Sequence, residues 1–249
     1  MPYPQSPWTL KGYAFQTLHL LDIDRVRPLI PPELNIISVF PGKTLGGVYL
    51  SYYGQGSVLE YSELIVIAAF LNYKGKFGGW VSHIYVDNSD SVAGGREIWG
   101  LPKEMAEFTW EHDNRVTVRQ GNRTLCSLGY NRQGFGLKQR LGASSFSTLG
   151  SNLLLFPAEV ESRFGLVGSK LEIPSESPFA SLNIGQPWLT VHADSLNLKV
   201  GAPEVVGQKA AEFSYRWFLV TLQAQPPTSR LFKVFEEAEW LWISFSTKV

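Results

Sequence analysis

Turn-forming residues interrupt this chain along its whole length. Twenty-three glycines and fifteen prolines are spread through 249 residues, and short β-branched and aromatic runs lie between them. That is the pattern of many strands joined by turns, with antiparallel sheet dominating. The clearest runs are Thr44 to Tyr53, Ser62 to Asn72, Trp80 to Val86, Val116 to Arg119, Thr124 to Tyr130, Trp188 to Ala193 and Ala238 to Phe245. Gly121-Asn122, between RVTVRQ and RTLCSLGY, predicts a hairpin turn, because both residues tolerate the positive φ of tight hairpins.

Helical pattern is sparse. Asp22 to Ile30 begins with a capping aspartate and spaces Ile23, Val26, Leu29 and Ile30 helically, but Pro28 keeps the helix short. A second candidate runs from Ser229 to about Glu237. Ser144 to Ser151 and Leu171 to Pro178 read as polar, turn-rich loops. Nothing divides the chain, so one domain over 1–249 is expected.

Twenty-two basic residues balance twenty-two acidic ones. Such a chain has no overall field to gather nucleic acid or an anionic membrane, which leaves small molecules and other protein chains as partners. The single cysteine, Cys126, cannot build a disulfide framework or a thiolate metal cluster, and reads as a small apolar filler on a strand. The start of the chain lacks the basic and apolar regions of a secretory signal. The longest apolar run, Leu64 to Leu71, is a strand's length and too short to span a bilayer. A cytoplasmic protein without a membrane span is expected.

No GxSxG elbow, phosphate-binding Gly-Lys-Ser/Thr loop or HExxH motif is present. The four histidines, His19, His83, His112 and His192, are scattered, so no metal site is expected. What stands out is a lysine in the mostly apolar or turn-forming stretch GGREIWGLPKEM, Gly94 to Met105. An amine attacks a carbonyl only when unprotonated, and desolvation or a neighbouring cation favours that form. Ile98, Trp99, Leu101 and Met105 surround Lys103 in sequence, while Gly100 and Pro102 hold the backbone extended or turning. The next residue, Glu104, supplies no cation, but adjacent side chains of an extended chain face opposite ways, which leaves Lys103 free to point inward. The alternative is a lysine snorkelling at a strand end.

Three stretches taken together, PWTLKGYAF, TLGGVYLSYY followed by EYSELIVIAAF, and GREIWGLPKEMAEF, resemble the acetoacetate decarboxylase superfamily in order and spacing. The first two, with the GLP of the third, are also similar to a plant subgroup of that superfamily whose loss causes neoxanthin deficiency and which is associated with carotenoid metabolism. The resemblance implies an α+β, mainly antiparallel β fold: an open β-barrel or cone with a few short helices, assembled as a homo-oligomer. It further implies a lysine that forms a Schiff base with a small keto acid, with no cofactor. On this chain that lysine falls on Lys103 and the acidic pocket residue on Glu63. The family's second lysine falls on Glu104, and its arginine and second glutamate on Leu20 and Val48.

Lys103 and Glu63 are therefore the expected catalytic pair, with Glu63 as acid and base. Arg96 and Glu97 are expected to orient a substrate, or else to brace the lysine segment as a pair; Tyr61 and Trp99 are expected to bind substrate. Tyr49, Tyr52, Tyr53 and Trp80 could line a pocket or fill the core. The leading functional reading is a Schiff-base lyase of the acetoacetate decarboxylase type, acting on a small carbonyl compound. The alternative is a non-catalytic binding protein for an apolar, carotenoid- or isoprenoid-like ligand.

Overall fold

Strand-forming runs with alternating burial dominate the computed structural model, which describes residues 3–131 and 136–210. Among the described residues the strands are β1 (Trp8–Asp22), β2 (Asn35–Ile36), β3 (Lys43–Tyr53), β4 (Tyr61–Tyr73), β5 (Lys76–Val86), β6 (Lys103–Met105), β7 (Glu107–Glu111), β8 (Arg115–Gln120), β9 (Arg123–Tyr130), β10 (Leu137–Leu149), β11 (Asn152–Leu166), β12 (Ser169–Glu172), β13 (Leu189–Val200) and β14 (Glu204–Gln208). Two short α-helices accompany them, α1 (Ile23–Val26) and α2 (Ser89–Trp99). Residues up to Ala210 form one compact unit. The expected helix from Ser229 to Glu237 and strand from Ala238 to Phe245 lie outside the described residues.

The larger sheet closes on itself. β4, β3, β1, β13, β11, β10 and β5 follow one another in a ring, because β5 pairs with both β4 and β10. The β5–β10 join is parallel and covers only Ser145↔Gly79 and Phe146↔Trp80. The other joins of the ring are antiparallel. A ring held so briefly at one seam is an open cone, as the resemblance implies. β7, β8, β9 and β12 form a second, four-stranded antiparallel sheet.

Side chains on successive strand residues point to opposite faces, and this alternation separates core from site. Phe15, Val48, Leu50, Leu64 and Val66, from β1, β3 and β4, share one core with Val116, Val118, Cys126 and Leu128 of the small sheet. Tyr53 and Tyr61, on the opposite face of β3 and β4, pack with Leu10, Ala14, Val86, Ala193 and Leu196. Cys126 is buried in the first core, and burial pushes its thiol up to about 12.

Several local expectations change. Asp22 precedes α1 without capping it; its carboxylate meets Lys43 at 2.5 Å instead. α1 ends after one turn and continues as a 3-10 turn over Arg27–Leu29, with Pro28 near its start. The serine-rich stretch from Ser144 is not a loop but the second half of β10, ending in a turn at Gly150. Buried Ser147 donates its hydroxyl to the Trp99 carbonyl, so a polar residue is tolerated at a buried position of the strand. Leu171 and Glu172 complete β12, and irregular chain follows them. Gly121-Asn122 is the turn joining β8 to β9, with Gly121 at φ +57°.

Candidate active site

The lysine segment is placed by an element that hydrophobic periodicity does not reveal. α2 connects β5 to β6, which lie parallel with Ile84 opposite Lys103. Parallel neighbours need a crossover, and a helix is the usual one. Asn88 caps α2 by accepting from the backbone N–H groups of Asp90 and Ser91 at 2.9 and 3.1 Å. Gly100 ends it in the left-handed region at φ +61°, donating to carbonyls of the last turn. A side chain at Gly100 would collide with the Thr148 carbonyl oxygen. Pro102 then prevents the helix from resuming, and Lys103 opens β6.

The buried side of α2 is made of small residues, Ser91, Gly94 and Gly95, before the large Trp99. They leave room for two large side chains. A β-carbon on Gly94 would lie 2.6 Å from the Trp8 ring, and one on Gly95 would lie 2.7 Å from Lys103 Cε. The lysine therefore runs inward beneath the helix, and the residue is only 3% exposed.

At its end, Lys103 Nζ donates to Glu63 Oε1 at 2.8 Å and to Ser91 Oγ at 2.9 Å. Nζ also sits 5.0 Å from the centre of the Tyr61 ring and 5.8 Å from that of Trp8. Glu63, 5% exposed, accepts a second hydrogen bond at Oε2 from the Tyr53 hydroxyl at 3.2 Å. Tyr49 and Tyr53 join hydroxyls at 3.0 Å. Burial, reinforced by the Glu63 carboxylate, pushes the Tyr61 phenol well above its usual range. Burial likewise raises Tyr53 and Tyr49. Half-buried Val160, Phe164 and Leu198 of β11 and β13 pack against the apolar cluster of Tyr53 and Tyr61.

Lys103, Glu63 and Tyr61 thus come together. Arg96 and Glu97 do not join them: both are exposed, while the buried side of α2 carries Ser91 and Gly95. Arg96 braces the segment from outside, its Nε donating to the Lys103 carbonyl at 2.7 Å, and Glu97 accepts from the Tyr3 hydroxyl at 2.5 Å. The pairing expected between these two is replaced by separate partners. Trp99 is a buried wedge rather than an open ring face: its Nε1 donates to the Gly201 carbonyl at 2.8 Å, and Trp8 packs edge-on against it at 4.8 Å. Glu104 is exposed and bonds to Gln120 at 2.8 Å. Val48 packs in the core with Phe15 and Leu50, so the residue of this stretch that reaches the polar row is its neighbour Tyr49. Ser91 was outside the sequence expectations; its only signal was its place one turn before Gly94 and Gly95.

The family model described as acetoacetate decarboxylase matches residues 1–163. The chain belongs to the acetoacetate decarboxylase family. Among curated proteins, tomato (Solanum lycopersicum) Protein NEOXANTHIN-DEFICIENT 1 is 33% identical over 107 residues, which are 43% of this chain and 36% of the tomato protein. Acetoacetate decarboxylase of Burkholderia mallei is 28% identical over 161 residues, covering 58% of this chain and 60% of that enzyme. The chain therefore matches only part of the length of these relatives. Among solved structures, the acetoacetate decarboxylase of Legionella pneumophila superposes with a TM-score of 0.70 at 17% identity, over 85% of this chain and 91% of that one. At that identity the likeness establishes the shared fold. Among the described residues no helix is long and apolar enough to cross a membrane.

Proposed function

We propose that this chain is a Schiff-base lyase that acts on a small β-keto acid or related carbonyl compound through Lys103. The observation that carries the reading is the buried Lys103 Nζ, 2.8 Å from Glu63 Oε1 and also bonded to Ser91. In this reading Glu63 takes a proton from Nζ, and the freed amine attacks the substrate carbonyl. Glu63 returns the proton to the carbinolamine hydroxyl, and water leaves. The protonated imine withdraws the electron pair of the adjacent carbon–carbon bond, carbon dioxide departs, and an enamine remains. Protonation and hydrolysis release the ketone and restore Lys103. Tyr61 and the apolar wall of Val160, Phe164 and Leu198 favour a substrate with an apolar substituent. Homo-oligomeric assembly, a cytoplasmic location and independence from cofactors belong to the same proposal.

A second reading, a binding protein for an apolar isoprenoid-like ligand, is favoured by that wall and by Glu104 standing where the resemblance implies a second lysine. The two differ in turnover. With a panel of β-keto acids, the lyase releases carbon dioxide and ketone, and Lys103→Arg abolishes the release. Ketone formation no faster than in buffer across the panel, with tight uptake of an apolar polyene, selects the binding protein.

A further inference from the structure

The mechanism above stops at Glu63, but the hydrogen bonds do not. Tyr49 and Tyr53 lie on the same face of β3, four residues apart, and their hydroxyls continue the line from the carboxylate. We infer that Tyr53 and Tyr49 form a proton relay that refills Glu63, with Tyr49 as its outer end. The inference rests on the Schiff-base reading and adds to it the source of a proton.

Directionality follows from counting hydrogens. The one hydroxyl hydrogen of Tyr53 is committed to Glu63 Oε2, at 3.2 Å. Its oxygen is then the acceptor toward Tyr49, so Tyr49 donates, at 3.0 Å. The row therefore points inward: Tyr49 to Tyr53 to Glu63 Oε2, while Glu63 Oε1 faces Lys103 Nζ. A proton given up from Oε1 is replaced at Oε2; a turn of the carboxyl then presents it toward Lys103, and rotation of the two hydroxyls resets the row. Each tyrosine passes one hydrogen on and receives one, so neither ends as a phenolate. Burial holds both phenols in the protonated form that such a chain requires. Tyr53 is fully buried and Tyr49 half-buried, so Tyr49 is the outer member of the row.

The chemistry needs this supply. A β-ketocarboxylate becomes a ketone and carbon dioxide only by taking up one proton, which ends on the carbon that held the carboxylate. The proton that Glu63 takes from Lys103 is spent on the departing water of the carbinolamine. The enamine carbon therefore draws on a second proton, and the tyrosine row connects Glu63 to it.

Pyruvate in deuterium oxide tests this, because an imine that tautomerises to its enamine exchanges methyl hydrogens for deuterium, which proton NMR follows. Borohydride reduction of the same mixture reports imine formation separately. Tyr49→Phe and Tyr53→Phe keep the rings and remove the hydroxyls. The relay predicts methyl exchange slower by on the order of 100-fold in each, an undiminished yield of reduced Lys103 adduct, and a double variant no slower than the Tyr53→Phe single. A merely structural role gives exchange at the wild-type rate in Tyr49→Phe, or losses that multiply in the double variant, and either result overturns the relay. So does a wild-type protein that forms the adduct without exchanging. A wild-type protein that forms no adduct loses the Schiff-base reading, and the relay with it.

Discussion

Gly95 and Lys103 share one space: the position a β-carbon would take on the helix residue lies 2.7 Å from the lysine Cε. The missing side chain of α2 is the channel through which the amine reaches Glu63.

Gly95→Ala therefore displaces the lysine stem. Alanine is the better helix former by about 1 kcal/mol, which offsets only part of the cost of moving the amine out of line with Glu63. A shift near 1 Å costs up to about 100-fold in an oriented reaction. Loss of Lys103 reactivity together with a lowered urea midpoint is the expected result. Gly94→Ala crowds a different group and leaves Lys103 in line with Glu63. Its neighbour is the Trp8 ring, pinned by a 2.9 Å bond to the Pro4 carbonyl and by edge-on packing against Trp99. Overpacking against so fixed a group costs ~1–3 kcal/mol, which denaturant unfolding reads directly.

The Lys103–Glu63 pair is also a stability element. Removing one partner of a buried ion pair costs about 3–5 kcal/mol, because the other is left uncompensated. Lys103→Met is expected to lower stability by this order, and adding Glu63→Gln is expected to recover part of it. Urea unfolding of the two variants checks both.

Much of the sheet was legible from residues alone, because runs such as Thr44 to Tyr53 and Ser62 to Asn72 are rich in β-branched and aromatic residues and lie between turn formers. Glu63 and Lys103 were legible through the resemblance and through the apolar setting of the lysine. α2 was not, since its buried side is built from Ser91, Gly94 and Gly95, and hydrophobic periodicity cannot register small residues. The signals that remained were at its ends: Asn88 as cap, Gly100 as left-handed terminator, and Pro102 beyond. Missing the helix also misplaced Arg96 and Glu97, whose outward direction follows from helical geometry. The strand character of Ser144 to Ser147 was hidden for another reason. Serine has little strand preference, and its place in β10 depends on partners elsewhere in the chain, such as the Trp99 carbonyl.

Acid should weaken the fold through its histidines. Burial lowers the imidazoles of His19, His83 and His192. A base whose folded pKa lies below its unfolded value binds its proton more readily when the chain unfolds. Stability is then full above the unfolded value near 6.5, and it falls as pH drops through that value toward the lowered ones. Unfolding midpoints at pH 7.5, 6.5 and 5.5 are expected to decrease in that order. His19→Gln is expected to flatten the profile, because His19, with 1% exposure, is the most enclosed of the three.

The central claim is that Lys103 is a carbonyl-reactive amine, and reductive trapping with peptide mass spectrometry tests it most directly. The protein is incubated near neutral pH with acetoacetate or pyruvate, reduced with borohydride, digested and mapped. The account predicts one dominant adduct on the peptide containing Lys103, absent in Lys103→Ala and reduced in Gly95→Ala. Adducts spread over exposed lysines such as Lys138 and Lys170, with none on Lys103, would contradict it.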